Sequence, residues 1–405
     1  MECIDKKLFV ESPKDDTIVY SEAEYTKPSG GDMIRLMTQS TRSDTVDSCE
    51  IDLSEDHGGT WSRSESLKTK LPHADGTLRR HPRSGMAEPE TGRYVSFMTE
   101  GVLPNDDPLE GLKNWYVRYR VSEDGGWSWE VDEPVIQQGE QYSADHPLKD
   151  VWKGKNCCMI GDKTCGPIHT EAGKILMPVQ ITPVGPDGEY HNPGGGYTYH
   201  ESVVLIGTWA EDQHLKWDVS ERVAHDPKLS TRGCLEPTIA QFPDGRILMV
   251  MRGSNGGSKD PECDIPGRKW YSVSHDGGYT WSHVEPWGYD TGELFFSPSS
   301  CSQLLSHSNG KKYWLGNICP ENPCGNGPRY PIVIGEVDSD SLMLIEDSVT
   351  VIDDRGPDDS ERLALSNFHA TEDRPTALVH LYMSRAFAKS KDVRGSDAYL
   401  YRIEV

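Results

Sequence analysis

The run Ser274-His275-Asp276-Gly277-Gly278-Tyr279-Thr280-Trp281 is a pattern the chain repeats. Ser54-Glu55-Asp56-His57-Gly58-Gly59-Thr60-Trp61 matches it at every fixed position, and Ser122-Glu123-Asp124-Gly125-Gly126-Trp127-Ser128-Trp129 matches with Ser in place of Thr. The shared template, S-x-D-x-G-x-T-W, reads as a hairpin connection. Its Asp carboxylate and Ser or Thr hydroxyls can bond backbone N–H groups within the turn, Gly supplies a positive φ, and Trp anchors the turn on a core. The copies accompany β-rich runs such as Tyr116-Val117-Arg118-Tyr119-Arg120-Val121. A motif present three times predicts a repeated hairpin unit.

Six β-rich units are legible. The first runs from about Ile18 to Trp61, the second from Thr77 to Trp129, and the third from Asn156 to Trp217 with a Gly- and Pro-rich insertion from Pro183 to Gly196. The fourth, Arg232 to Trp281, is the most regular: Pro237 to Phe242, a tight turn at Pro243-Asp244-Gly245-Arg246, then Ile247 to Arg252. The fifth spans Phe295 to Ile345 and the sixth Leu363 to Val405. No run carries helical periodicity. The 405 residues therefore read as one all-β domain, 1–405, rather than the two or three domains that length alone suggests.

A formal charge of −24 argues against a nucleic-acid partner, which needs a basic face. An anionic ligand would have to be captured by local arginines against that background. No segment approaches a membrane span, and the N-terminal Met1-Glu2-Cys3-Ile4-Asp5-Lys6-Lys7 lacks the apolar run of a signal peptide, so a cytoplasmic protein is expected. The ten cysteines show no C-x-x-C pair or zinc-type spacing and are expected to be buried reduced thiols. His81, His146, His169 and His369 show no H-E-x-x-H spacing, so neither metal nor cofactor is expected. Nothing in the sequence fixes an oligomeric state.

The three boxes resemble the Asp-boxes of the sialidase (neuraminidase) superfamily. That resemblance implies a six-bladed β-propeller, with the boxes in outer turns and the site at the mouth of the central channel. Leu235-Glu236-Pro237-Thr238, followed by Met251-Arg252, resembles the segment that supplies the Glu partner of the nucleophile and an arginine of the carboxylate-binding triad. Arg329 stands where a further arginine of that triad is expected, beside Tyr330. Planar guanidinium forks suit a sugar carboxylate because they bind it bidentately. A purely structural Glu236–Arg252 ion pair is the alternative reading.

Two features depart from the family. Leu365, in Ala364-Leu365-Ser366-Asn367-Phe368, occupies the place of the nucleophilic Tyr, and no Arg-Ile-Pro segment precedes unit two. Asp44 and Asp47 are the candidates for the acid/base Asp. Arg79-Arg80-His81 opens unit two, placing Arg80 as a substrate-binding candidate and His81 as a base or acid held near neutral by its neighbours. Tyr199, after Gly194-Gly195-Gly196, is a candidate replacement for the missing Tyr, with a packing role as the alternative. The resemblance implies an exo-glycosidase acting on a terminal acidic sugar. A polysaccharide lyase acting on a uronic acid by β-elimination, or a glycan-binding propeller without catalysis, are the competing classes.

Overall fold

A computed structural model describes residues 1–405 except the side chain of Ser84. The described residues form six antiparallel sheets, arranged as the blades of a β-propeller. Blade one comprises Ile18–Tyr25, Met33–Ser40, Ser48–Ser54 and Ser62–Leu67. Blade two comprises Lys70–His73, Gly76–Ala87, Tyr94–Leu103, Tyr116–Ser122 and Val131–Pro134. In blade three the inner strand is broken into Cys158–Met159 and Ile168–His169, both paired with Ile175–Ile181, and Glu201–Trp209 and Leu215–Val219 complete the sheet. Blade four is Leu235–Gln241, Ile247–Arg252, Lys269–Ser274 and Glu285–Trp287. Blade five is Gln303–Ser306, Lys312–Asn317, Ile332–Val337 and Thr350–Asp353.

Blade six closes the ring. Its strands His369–Asp373, Leu378–Ser384 and Ala398–Glu404 are joined on the outside by the N-terminal strand Glu2–Val10, in register from Glu2 opposite Glu404 to Val10 opposite Ala398. The two ends of the chain thus share one sheet, which covers the outer edge of the last blade.

The second strands of blades three and four are covered on both faces by neighbouring blades. Ile175–Ile181 and Ile247–Arg252 are buried at every position. The core consequently lies between blades: Phe97 and Tyr119 of blade two meet Trp217 of blade three at 6.1 and 5.2 Å between ring centroids. Trp287 of blade four likewise meets Trp314 of blade five at 5.3 Å.

The three repeated turns join the last two strands of blades one, two and four, and share one hydrogen-bond set. Asp276 accepts from Ser274 Oγ at 2.9 Å, Thr280 N at 2.9 Å and Thr280 Oγ1 at 2.6 Å, and Gly278 N donates to Ser274 Oγ at 2.9 Å. The equivalent bonds around Asp56 and Asp124 run from 2.7 to 2.9 Å. Gly58, Gly126 and Gly278 have φ of 78°, 101° and 94°, which explains the fixed glycine. The tryptophans Trp61, Trp129 and Trp281 are half-buried, and Arg35 and Arg120 cover the faces of the first two at 4.6 and 3.7 Å.

One cysteine expectation is corrected. Cys263 and Cys324 form a disulfide between the loops that follow the second strands of blades four and five, while the other eight cysteines are free. A separation of 61 residues put the pairing beyond any local spacing rule.

Candidate active site

Where the inner strands begin and the second strands end, a cavity of about 1090 Å³ opens at the channel mouth. Its floor is organised by Glu236. Leu235–Gln241 starts with a register shift, and Glu236 takes φ +45°, a left-handed conformation costly for a residue with a side chain. The irregular start directs the Glu236 carboxyl into the cavity, and its backbone N–H donates to Gln180 Oε1 at 2.8 Å. Arg252, at the end of the next strand, donates to Glu236 Oε1 at 2.6 Å, to Ser299 Oγ at 2.8 Å and to Asn326 Oδ1 at 2.9 Å. Arg329 donates to the Asn326 and Ser299 carbonyls at 3.1 and 3.2 Å. Glu236, Arg252, Arg329 and Tyr330 all line this cavity.

The broken inner strand of blade three supplies a residue that strand patterning did not indicate. Between Met159 and Ile168 the chain leaves the sheet and carries Asp162 and Lys163 into the cavity. Gly161 permits this, since a Cβ there would lie 2.6 Å from Glu236 Cγ. Asp162 is 8% exposed, and its Oδ2 accepts from Asn367 Nδ2 at 2.5 Å. Lys163 is paired with Glu22 at 2.8 Å. Among the described residues, Asp162 Oδ1 and Glu236 Oε2 have no hydrogen-bond partner.

The two carboxyls are electrostatically opposed. Burial and the charge of Glu236 raise the pKa of Asp162, against the lowering effects of Arg83, Asn367 and Lys163. Burial would also raise Glu236, but Arg252, Arg329 and Arg232 outweigh it and hold that carboxyl below its ordinary value. Asp162 thus holds its proton more readily than an ordinary aspartate, and Glu236 releases its proton more readily than an ordinary glutamate.

Further cationic groups converge on the same space. Arg232, which precedes Gly233-Cys234-Leu235-Glu236, donates from Nη2 to Thr198 Oγ1 at 2.6 Å. Burial and the nearby Arg252 charge depress it to about 9. Arg394 reaches in from blade six, its Nε buried without a partner among the described residues. Nine cationic and four acidic side chains line the cavity, a basic pocket in a chain of charge −24.

The remaining candidates divide. Asp44 lines the cavity, but Asp47 does not: its carboxylate accepts from the Thr41 N–H and hydroxyl, each at 2.8 Å. His81 lines the cavity with its ring 4.8 Å from Trp115, and burial, then Arg83 and Arg79, keep it neutral. Arg80 lies on the opposite face of its strand and pairs with Glu100 at 2.5 Å, so it is a structural ion pair outside the cavity. Tyr199 is also outside, 2% exposed, with its hydroxyl on the His225 carbonyl at 3.1 Å; its role is packing. Leu365 is fully buried. Tyr20, on the inner strand of blade one, lines the cavity together with Tyr197 and Tyr330, and burial pushes its phenol up to about 12. His146 stacks on Trp152 at 4.6 Å, and His169 pairs with Glu88 at 3.0 Å. His369 is buried and lies 3.9 Å from Glu24.

A family model described as a BNR repeat-like domain matches residues 86–355. The chain belongs to the BNR repeat-like family. No protein of curated function matches it in sequence. Among solved structures, the NanB sialidase from Streptococcus pneumoniae aligns with 98% of this chain and 70% of its own, with a TM-score of 0.62 and 12% identity. A protein of unknown function from Dyadobacter fermentans aligns over 100% and 99%, at 0.64 and 14%. The α-L-arabinofuranosidase Arb93A from Fusarium graminearum aligns over 99% and 98%, at 0.57 and 13%. These likenesses establish a sialidase-like fold for the BNR-repeat chain. Activity has to be argued from its own residues.

Proposed function

We propose that this BNR-repeat propeller is a glycoside hydrolase whose substrate sugar bears a carboxylate. The observation that carries the reading is the neighbouring pair Asp162 and Glu236, which line one arginine-rich cavity and whose carboxyl pKa values are shifted in opposite directions. Glycosidic cleavage needs such a pair. An acid delivers a proton to the departing glycosidic oxygen, and a carboxylate on the other side serves as nucleophile or activates water.

In this reading Asp162 is the acid and Glu236 the nucleophile or base, with water supplying the new hydroxyl at the cleaved carbon. Asp44, at the cavity wall, is the alternative proton donor. Arg232, Arg329 and Arg394 receive the carboxylate, while Arg252 holds Glu236 ionised. Arg232 supports this assignment particularly, because a buried guanidinium crowded by like charge gains most from an arriving anion.

The test is turnover of matched aryl glycosides, glucuronide against glucoside and galacturonide against galactoside, with the aryl α-ketoside of N-acetylneuraminate alongside. An acidic member should be cleaved on the order of 100-fold faster than its neutral partner, and Arg232→Ala should reduce that preference. Equal cleavage of both members would sink the carboxylate assignment.

One observation favours a second reading. A buried leucine stands in place of the tyrosine nucleophile, and the neutral imidazole of His81 faces the cavity, which suits removal of the C5 proton of a uronic acid. The same assay separates the two readings, since elimination leaves an unsaturated uronide that absorbs in the ultraviolet and hydrolysis does not.

A further inference from the structure

His200 immediately precedes the strand Glu201–Trp209 of blade three, beside Gly233, and lines the cavity with Arg232 and Glu236. It is 3% exposed, and among the described residues neither Nδ1 nor Nε2 has a hydrogen-bond partner. Buried polar atoms are almost always satisfied, so a ring with both nitrogens unspent against a ligand cavity implies that a ligand completes it.

The chemistry of the ring narrows what that ligand group can be. Burial and the charge of Arg232 depress His200 to about 3, so the imidazole is neutral and carries one N–H donor and one acceptor lone pair. A carboxylate cannot donate a hydrogen bond, and the arginines already offer it better partners. A sugar hydroxyl can either accept from the ring N–H or donate to the ring lone pair, so it pairs with whichever imidazole nitrogen it meets.

We propose that His200 is a specificity-determining residue that reads one free hydroxyl of the bound sugar, on the side of the cavity where Arg232 receives the carboxylate. This rests on the proposed reading of the cavity as a sugar site. The substrate class becomes an acidic sugar unsubstituted at that hydroxyl. Sugars lacking it, or carrying an O-methyl or O-acetyl group there, are rejected because the imidazole would be buried unpaired.

The experiment measures binding by calorimetry of glucuronate, galacturonate and N-acetylneuraminate, with glucose and galactose as neutral controls. The tightest binder is then compared with its monodeoxy analogues, using wild type, His200→Leu and His200→Gln. One deoxy analogue should bind wild type at least about tenfold more weakly than the parent sugar. His200→Leu should bind the parent and that analogue equally, and His200→Gln, which keeps a donor and an acceptor, should recover part of the difference. If His200→Leu loses affinity equally for the parent and every analogue, or loses none, His200 reads no hydroxyl and the inference is overturned. Binding of neutral sugars but no acid would reject the carboxylate reading alone, because the deoxy comparison still decides on His200. Binding of no sugar at all would overturn both. Thermal melts of the variants verify folding, and His200→Gln keeps the comparison decisive should His200→Leu not fold.

Discussion

A methyl group on Gly161 would sit 2.6 Å from Glu236 Cγ and 2.8 Å from Gln180 Oε1, closer than packed atoms tolerate. Gly161→Ala should therefore displace Glu236 or the Asp162 loop, costing roughly 1 to 3 kcal/mol of stability and a larger share of turnover. Asp162→Asn removes the proposed acid and should lower kcat by about 10² to 10⁴ on substrates with poor leaving groups. The pH profile gives the finer readout. The proposed mechanism requires Glu236 ionised, which sets the acidic limb below the ordinary Glu value, and Asp162 protonated, which sets the basic limb above the ordinary Asp value. The Asn variant should lose the basic limb and keep the acidic one; a variant that retains both would place the acid elsewhere, with Asp44 next in line.

Among the elements, the repeated turns and the site are separable. Asp276→Ala removes four acceptor contacts in a turn that does not line the cavity, and should cost about 1 to 3 kcal/mol in denaturant unfolding with sugar affinity unchanged. An affinity loss at unchanged stability would contradict that separation. The turns were legible because their chemistry is local: every partner of Asp56, Asp124 and Asp276 lies within four residues. The blade segmentation followed from them and from the strand patterns. Glu236, Arg252 and Arg329 were legible through the resemblance, whereas Arg80 failed because strand alternation turns it away from the face shared by His81 and Arg83. Asp162 was hidden by an interruption of an inner strand, which has no two-residue period to read. Arg232 and Arg394 come from loops whose convergence on Glu236 depends on ring closure, and the Cys263–Cys324 link depends on two blades lying side by side.

For the whole molecule, closure and channel electrostatics set stability. Deleting Glu2–Val10 would bare the outer edge of Ala398–Glu404, and should lower the melting temperature and promote association through the exposed strand. Glu24, deeper along the inner strand that carries Tyr20, has its carboxyl pushed up to about 8 by burial, although Tyr94 Oη and Gly85 N donate to it at 2.5 Å. Because the folded value is raised, its contribution is complete below the unfolded value of about 4.5 and is lost as pH climbs to about 8. Glu24→Gln keeps the acceptor oxygen and cannot ionise. It should gain on the order of a few kcal/mol relative to wild type between pH 4.5 and pH 8, and a constant difference across that range would show that Glu24 titrates normally. The most direct test of the proposed chemistry is a crystal structure of Glu236→Gln soaked with whichever acidic glycoside the wild type turns over. The carboxylate should lie among Arg232, Arg329 and Arg394, with the glycosidic oxygen within hydrogen-bond reach of Asp162. A sugar bound with its carboxylate toward solvent, or with Asp162 remote from the scissile bond, would contradict it.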